Sequence, residues 1–586
     1  MNLQDDPLEY YRRELAYLRV QAGDFAARYP KVAQRLDLSG AESPDPHTER
    51  LIESVAFLTA RVHRDLDRQF PAVATSLLEN LCPSLTQPVA AMTVVQMTLD
   101  PSEGKVTAGW QVPRGTALTT TAETGETCRM RTAWDLTLWP LRMTDVRLED
   151  PRTLRLELRC EDGLQASELE IDVLRLHLGG DLLTTMPLHE LLVTGLEQIQ
   201  VLADDGTCVR LAADCLAEVG FDEGQEVLAQ PAHAHPAYGL LQEYFAFPRK
   251  FQFFDVRGLR GRLGAGTGFA LRLVFDRSAR VLSLLSPENF VLGCVPAVNL
   301  FEQTSEPVVI DHRQHEYLLR PDLQRDAVTE VHSVQAVIAS DPQADRPSEI
   351  PSVYAEPDPQ GAGDADLFWT LRRETSLRRD IAGTDVFIGF VDRRDVRAVP
   401  REPVVYARLL CTNRRLAEQL APGARFLGQG VSTATRIRAL YAPSTPRDPA
   451  LGSQALWALV SLLRLNHRSL VDGTDGVHTL RQMLMLFAGE SARDQAQVRG
   501  IRALHAALAT ARMGGQAWGA HCRGTDITLD IEPEAFVGNS PLVLASVLSR
   551  FFALYTTANS FVRLTLRQGG ETVKRWPAMS GRQCLI

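Results

Sequence analysis

Few stretches of this 586-residue chain carry residue types at spacings that could do chemistry. The most suggestive is Gly258 to Gly268, GLRGRLGAGTG. A phosphate-cradling loop needs a helix N-terminus directly after it, where unpaired backbone N–H groups and the helix dipole meet the anion. The residues that follow, FALRLVF, read as a strand, so no nucleotide site is expected there. Gly104-Lys105 precedes Val106 rather than Ser or Thr, which breaks the phosphate-loop pattern. His315-Glu316 begins like a zincin helix, but Leu319 stands where the second histidine belongs. His312 and His315, beside Asp311, could share a metal, as could His233 and His235. Neither pair has cysteine or carboxylate partners at ligand spacing, and surface or hydrogen-bonding histidines are the simpler expectation. No G-x-S-x-G elbow occurs, and carboxylates in a chain this long pair by chance too often to single out an acid and a base. The residues therefore predict no enzyme, no catalytic residue, no cofactor and no metal.

The nine cysteines are scattered and form no C-x-x-C pair, so neither a zinc site nor a disulfide framework is indicated. Reduced, mostly buried thiols are expected. Formal net charge is −10, which speaks against nucleic acid or an anionic membrane surface as the main partner. The longest apolar run, Leu456 to Leu465, is interrupted by Arg464 and falls short of the ~18 residues a span requires. The start, MNLQDDPLEYYRREL, has no signal-like apolar segment, so a cytoplasmic protein without membrane insertion is expected.

Several elements must frame whatever the chain does. The densest is Leu240 to Val256, LLQEYFAFPRKFQFFDV, with six aromatic residues in a protein that is 7% aromatic. Such a cluster seeds a core or a dense interface, with a core the favoured expectation. Pro248 predicts a break, with helix up to about Phe245 and strand from Phe251 to Val256.

Residues 1–90 read as helical. Leu8, Tyr11, Leu15, Leu18, Ala22, Phe25 and Tyr29 recur at spacings of three and four, a seam for packing lengthwise against another helix. Arg12, Arg13, Glu14 and Arg19 fall off it. A second helix opens with Asp45 as N-cap and Pro46 at its first position, carries Leu51, Val55, Leu58, Val62 and Leu66 on one face, and is expected to stop before Pro71. A third follows with Val73, Leu77 and Leu81. The three helices could form a bundle of their own or present the first to a partner.

From residue 91 the period becomes two, as in Leu154, Leu156 and Leu158, and residues 91–338 read as β-rich with helical insertions. Residues 339–366 are a Pro/Asp/Gly-rich loop or linker, residues 367–450 are β-rich again, and residues 451–586 are mixed α/β. The fold class expected is α+β, multi-domain.

In order, these stretches resemble one family along nearly the whole chain: TssF (also ImpG or VasA), the baseplate wedge subunit of type VI secretion systems. The resemblance is carried by YYRRELAYLR (Tyr10 to Arg19), RYPKVAQRL (Arg28 to Leu36), the segment Asp45 to Val62, VPRGT (Val112 to Thr116), CRMRTAWDLTLWP (Cys128 to Pro140) and EYFAFPRKFQF (Glu243 to Phe253). It continues through Cys294 to Val308, Glu316 to Val337, Leu409 to Ala417, Leu462 to Leu470, Phe551 to Phe561 and Trp576 to Gly581. It departs at LDRQFP (Leu66 to Pro71) and at Cys82-Pro83-Ser84. The resemblance implies a structural role similar to that of contractile-phage wedge proteins. Two copies would clasp one TssG; wedges would bind TssK and TssE, surround the VgrG spike and dock on the membrane complex at the cytoplasmic face of the inner membrane. Sheath and tube would then grow on this platform.

On that reading Leu8, Tyr11, Leu15, Leu18, Phe25 and Tyr29 form the partner interface, with packing inside the chain as the alternative. Asn299, Asn413 and Asn466, within family-like segments, are expected to be buried amides that satisfy backbone groups. A competing class, a β-rich ligand- or carbohydrate-binding protein, would need an exposed platform at Trp110, Trp134 and Trp139.

Overall fold

The computed structural model describes residues 7–581 apart from 37–44, 100–105, 341–346, 354–366, 393–397, 465–472, 514–519 and breaks of one to three residues. The fold is α+β, and its contacts divide it into two units: Met1–Leu78 with Leu451–Leu459, and Glu79–Ala450 with Val460–Ile586.

The first unit is helical. Helix α1 spans Pro7–Arg28 and helix α2 spans Pro46–Leu81, the latter running on past the unit's boundary. Asp45 does cap α2, accepting the His47 N–H at 3.1 Å, and Pro46 occupies the position where a missing N–H costs nothing. The stop expected before Pro71 does not occur. A proline inside a helix removes one hydrogen bond and crowds the carbonyl a turn earlier, at about 3 kcal/mol. A 36-residue helix with buried Ala56, Ala60, Ala74 and Leu78 has packing on both sides of that position to hold it through.

In the second unit a closed barrel runs in the order Met92–Thr98, Cys294–Val298, Thr127–Thr132, Ala117–Thr121, Arg425–Gly428, Arg436–Ala439 and back to the first strand. A five-stranded sheet includes Leu141–Asp150, Thr153–Cys160, Leu196–Ala203 and Gly268–Phe275, and a four-stranded sheet has Phe253–Arg257 between Leu216–Val219 and Val173–Leu178. Further on, Val404–Thr412 pairs with Glu330–Ser340, and Thr384–Asp392 with Leu367–Thr375. The last sheet is ordered Ile501–Met513, Ala520–Ile531, Ser560–Gln568, Glu571–Arg575. Its middle pair is parallel, a pairing that demands a crossover, and helix Pro541–Leu554 supplies it.

The aromatic window joins two cores. Helix Pro236–Ala246 ends at a 3₁₀ turn over Pro248–Phe251, and the strand begins at Phe253, two residues later than expected. Successive strand residues point to opposite faces. Phe253 accordingly enters the barrel core beside Trp134, Val295 and Phe426, while Phe254 enters the neighbouring core beside Leu176, Leu188 and Leu271. One short strand thus belongs to two hydrophobic clusters.

Candidate functional site

Two of the four polar residues off the α1 seam, Glu14 and Arg19, tie the two helices together, while Arg12 and Arg13 are exposed. Glu14 is buried, and its carboxylate lies 2.7 Å from His63 Nδ1 on α2. Arg19 reaches Glu49 with Nη2 at 2.5 Å. The seam itself stays largely open. Tyr11, Leu15, Leu18 and Ala22 are half-buried, whereas Leu8, Phe25 and Tyr29 are exposed, with the last two rings 5.3 Å apart. Helix α2 is similar: Leu51, Val55, Phe57, Leu58 and Val62 are each at least 45% exposed. Scattered surface leucines are ordinary; here the exposed apolar side chains recur along both helices.

The second unit supplies rigid joints. Lys250 and Glu243, both 1% exposed, form a buried ion pair. The other Glu243 oxygen accepts the N–H groups of Val227 and Leu228 at 2.7 and 2.8 Å. Burying two charges is tolerable when they are paired and further hydrogen bonds satisfy what remains, as the two N–H groups do for the second Glu243 oxygen. Tyr244 donates to Gln497 at 2.9 Å, Gln242 donates to the Ser84 carbonyl at 2.6 Å, and Arg447 donates to the Phe245 carbonyl at 2.9 Å. The window therefore ties together the segment before the barrel, a loop near residue 227 and the C-terminal part. Sequence reading saw the rings but not this polar frame, because its partners lie up to 253 residues away.

Asn299 and Asn413 are buried and bonded to each other, as detailed below; Asn466 lies outside the described residues. In VPRGT, Gly115 sits at φ +83°, where a side chain would strain the backbone, and the Thr116 and Thr132 hydroxyls both donate to the Pro113 carbonyl, at 2.7 and 2.9 Å.

The candidates for chemistry resolve differently. The glycine-rich loop does lead into a strand, Gly268–Phe275. Gly264 has φ +69°, and a Cβ there would meet that of Ala203 at 2.3 Å, so glycine is needed for close approach to the neighbouring hairpin. His233, His235 and His312 lie outside the described residues. Among the described residues no cluster of three or more His, Cys, Asp or Glu is placed to hold a metal. Cys82, Cys128, Cys294 and Cys411 are buried and burial pushes their thiols up, the first two to about 12, whereas Cys208 is exposed and Cys160, Cys215 and Cys522 are half-buried. Half of the described thiols, rather than most, are buried.

A cavity of about 490 Å³ is lined by residues including Glu79, His332, Trp369, Arg373 and Leu410. Burial raises Glu79 to about 7 against the opposing pull of Arg373, and burial lowers His332 to about 3. Arg373 is committed to the carbonyls of Val331 and His332 and the Thr384 hydroxyl, at 2.7 to 2.8 Å. The Ser333 hydroxyl lies 3.2 Å from His332 Nδ1, but an imidazole held neutral down to about 3 is a poor general base near pH 7. Trp134 is buried with its Nε1 donating to the Gln225 carbonyl, Trp139 is half-buried and Trp110 is 39% exposed, so the three make no open platform. Among the described residues no helix is long and apolar enough to cross a membrane.

Residues 3–583 match the family model described as Type VI secretion system, TssF, and the chain belongs to that family. It is similar to the type VI secretion system component TssF1 of Pseudomonas aeruginosa, at 33% identity over 98% of each chain. In fold it is similar to a chain of the type VI secretion TssK-TssF-TssG baseplate subcomplex determined by cryo-electron microscopy. That match has a TM-score of 0.75 and 24% identity and covers 92% of this chain and 99% of that one. A chain of the type VI secretion baseplate complex matches with a TM-score of 0.56 at 22% identity, over 99% and 100%.

Proposed function

We propose that this chain is a structural subunit of the type VI secretion baseplate, forming the wedge with TssG and binding TssK. The observation that carries the reading is the uncovered apolar surface of α1 and α2 in a chain matched to the TssF family from end to end. A solved baseplate subcomplex that contains TssK, TssF and TssG supports the choice of partners. Two copies of the chain clasp one TssG through the seam of Leu8, Tyr11, Leu15, Leu18, Phe25 and Tyr29. The wedges further contact TssE, surround the VgrG spike, and dock on the membrane complex at the cytoplasmic face of the inner membrane. The role is mechanical, not catalytic: subunit contacts hold one ring geometry until firing releases it.

Disrupting the gene in its own organism tests this. Loss of sheath assembly and of type VI-dependent secretion, restored by the intact gene, is the expected result. Normal sheath assembly without the protein would refute the role.

A further inference from the structure

The last sheet begins with an edge strand, Ile501–Met513, that pairs along its length with Ala520–Ile531 and, among the described residues, has no strand on its other side. An edge strand presents a comb of unpaired N–H and C=O groups, and proteins ordinarily guard such combs with charges, brevity or bulges. The opposite edge of this sheet is guarded in that way: Glu571–Arg575 is five residues long and includes Glu571, Lys574 and Arg575. The edge strand Leu141–Asp150 in the second unit carries Arg142, Asp145, Arg147, Glu149 and Asp150. Ile501–Met513 is 13 residues long, and from Ala503 to Ala511 its one titratable side chain is His505.

The guard is confined to its start. A register shift falls between Ile501 and Ala503, and Arg481 donates through Nε to the Ile501 carbonyl at 3.0 Å. Beyond that point Ala507, Leu508 and Thr510 are exposed, Leu508 to 87%, the most open large apolar side chain among the described residues. The third strand pairs with Ala520–Ile531 only from Arg523 onward, so the far end of the hairpin extends beyond the sheet as a two-stranded ribbon. Charge is also distinctive. Near the strand's start Arg502 is paired with Glu532, and Asp530 and Asp526 stand opposite Ala503 and Ala507, whereas residues 509–523 contain two arginines, one histidine and no carboxylate, in a chain of net charge −10. His505 and Arg523 are exposed.

We infer that Ala503–Ala511 is a strand-addition site that takes an extended segment of another baseplate subunit, one bearing Asp or Glu beside its pairing residues. The backbone comb demands an extended occupant, and the carboxylate-free, arginine-bearing far end of the hairpin selects an acidic one. The inference rests on the baseplate reading for the existence of a partner.

Hydrogen–deuterium exchange of the full chain, alone and co-purified with its TssG- and TssK-type partners, is the test. Amides between Ala503 and Ala511 that face away from the hairpin should exchange about tenfold or more slowly in the complex, reflecting new backbone bonds. Leu508→Glu should weaken that protection with the unfolding temperature of the lone chain unchanged, while Leu508→Val retains it. A complex that forms without protection of these amides overturns the inference and leaves the baseplate role standing; failure to form any complex removes both. Protection that grows with concentration in the lone chain, or that anionic phospholipid vesicles reproduce, would overturn the stated occupant.

Discussion

Asn299 and Asn413 exchange hydrogen bonds across a fully buried junction. The Asn299 amide donates to Asn413 Oδ1 at 2.9 Å, and the backbone N–H of Asn413 donates to Asn299 Oδ1 at 2.8 Å. The pair also serves a barrel strand: Asn299 donates to the Arg129 carbonyl at 2.5 Å, and the Arg129 N–H donates to Asn413 Oδ1 at 2.8 Å. Both asparagines stand where chain leaves a barrel or sheet strand, so two amides couple the barrel to the sheet built on Val404–Thr412.

Removing either amide should therefore be costly. Asn299→Ala leaves the Asn413 N–H and the Arg129 carbonyl without partners, at about 1–3 kcal/mol each. The expected loss is about 3 kcal/mol or more, read from denaturant unfolding of the second unit. Asn299→Asp, which cannot donate, should lose nearly as much; an unchanged midpoint would contradict the coupling.

The buried pair Glu243–Lys250 makes a second prediction. Lys250→Met leaves a carboxylate uncompensated at 1% exposure and should destabilise by about 3–5 kcal/mol. Glu243→Gln with Lys250→Met should recover part of that loss. If the single and double variants unfold alike, the pair has no such role.

Acid should destabilise the second unit through histidines. Burial lowers His177 to about 3, His189 to about 4 and His332 to about 3, all below the ordinary 6.5. Their folded state is neutral, so stability is fully present above pH 6.5. As pH falls below that value the unfolded chain takes up protons the folded chain refuses, at about 1.4 kcal/mol per pH unit for each residue. Glu79, raised to about 7, has the opposite sign: its charged form is penalised above pH 7, and that penalty fades as pH falls toward 4.5. His189 has no hydrogen-bond partner on either ring nitrogen and packs on Phe254. His189→Met should flatten the slope of stability between pH 6 and 4.5; an unchanged slope would exclude it as a contributor.

Charging the two kinds of apolar surface should separate assembly from folding. Phe251 is fully buried, and Phe251→Asp should make the lone chain insoluble. Leu15→Asp or Leu18→Asp, on half-open positions, should leave the lone chain soluble and prevent wedge assembly. Assembly unaffected by both would move the interface off the seam.

Much of the fold was legible where local pattern and burial agree. Leu154, Leu156 and Leu158 alternate because one face of their strand is core, and Asp45-Pro46 announces a helix start by its own chemistry. Pro71 misled because local propensity carries no knowledge of the packing that carries a long helix past it. The joints were invisible for another reason: Glu14 meets His63 and Tyr244 meets Gln497 only after folding, and nothing at either position signals its partner. The unguarded edge at Ile501–Met513 could be seen only once strand order was known.

The central claim is that the open helical surface of the first unit exists to be covered by a partner. Size-exclusion chromatography with light scattering on the chain co-expressed with the TssG-type protein of its organism tests it most directly. The account predicts a stable complex holding two copies of this 64.9-kDa chain and one partner, lost on Leu15→Asp. A monomer that elutes apart from that partner would contradict it.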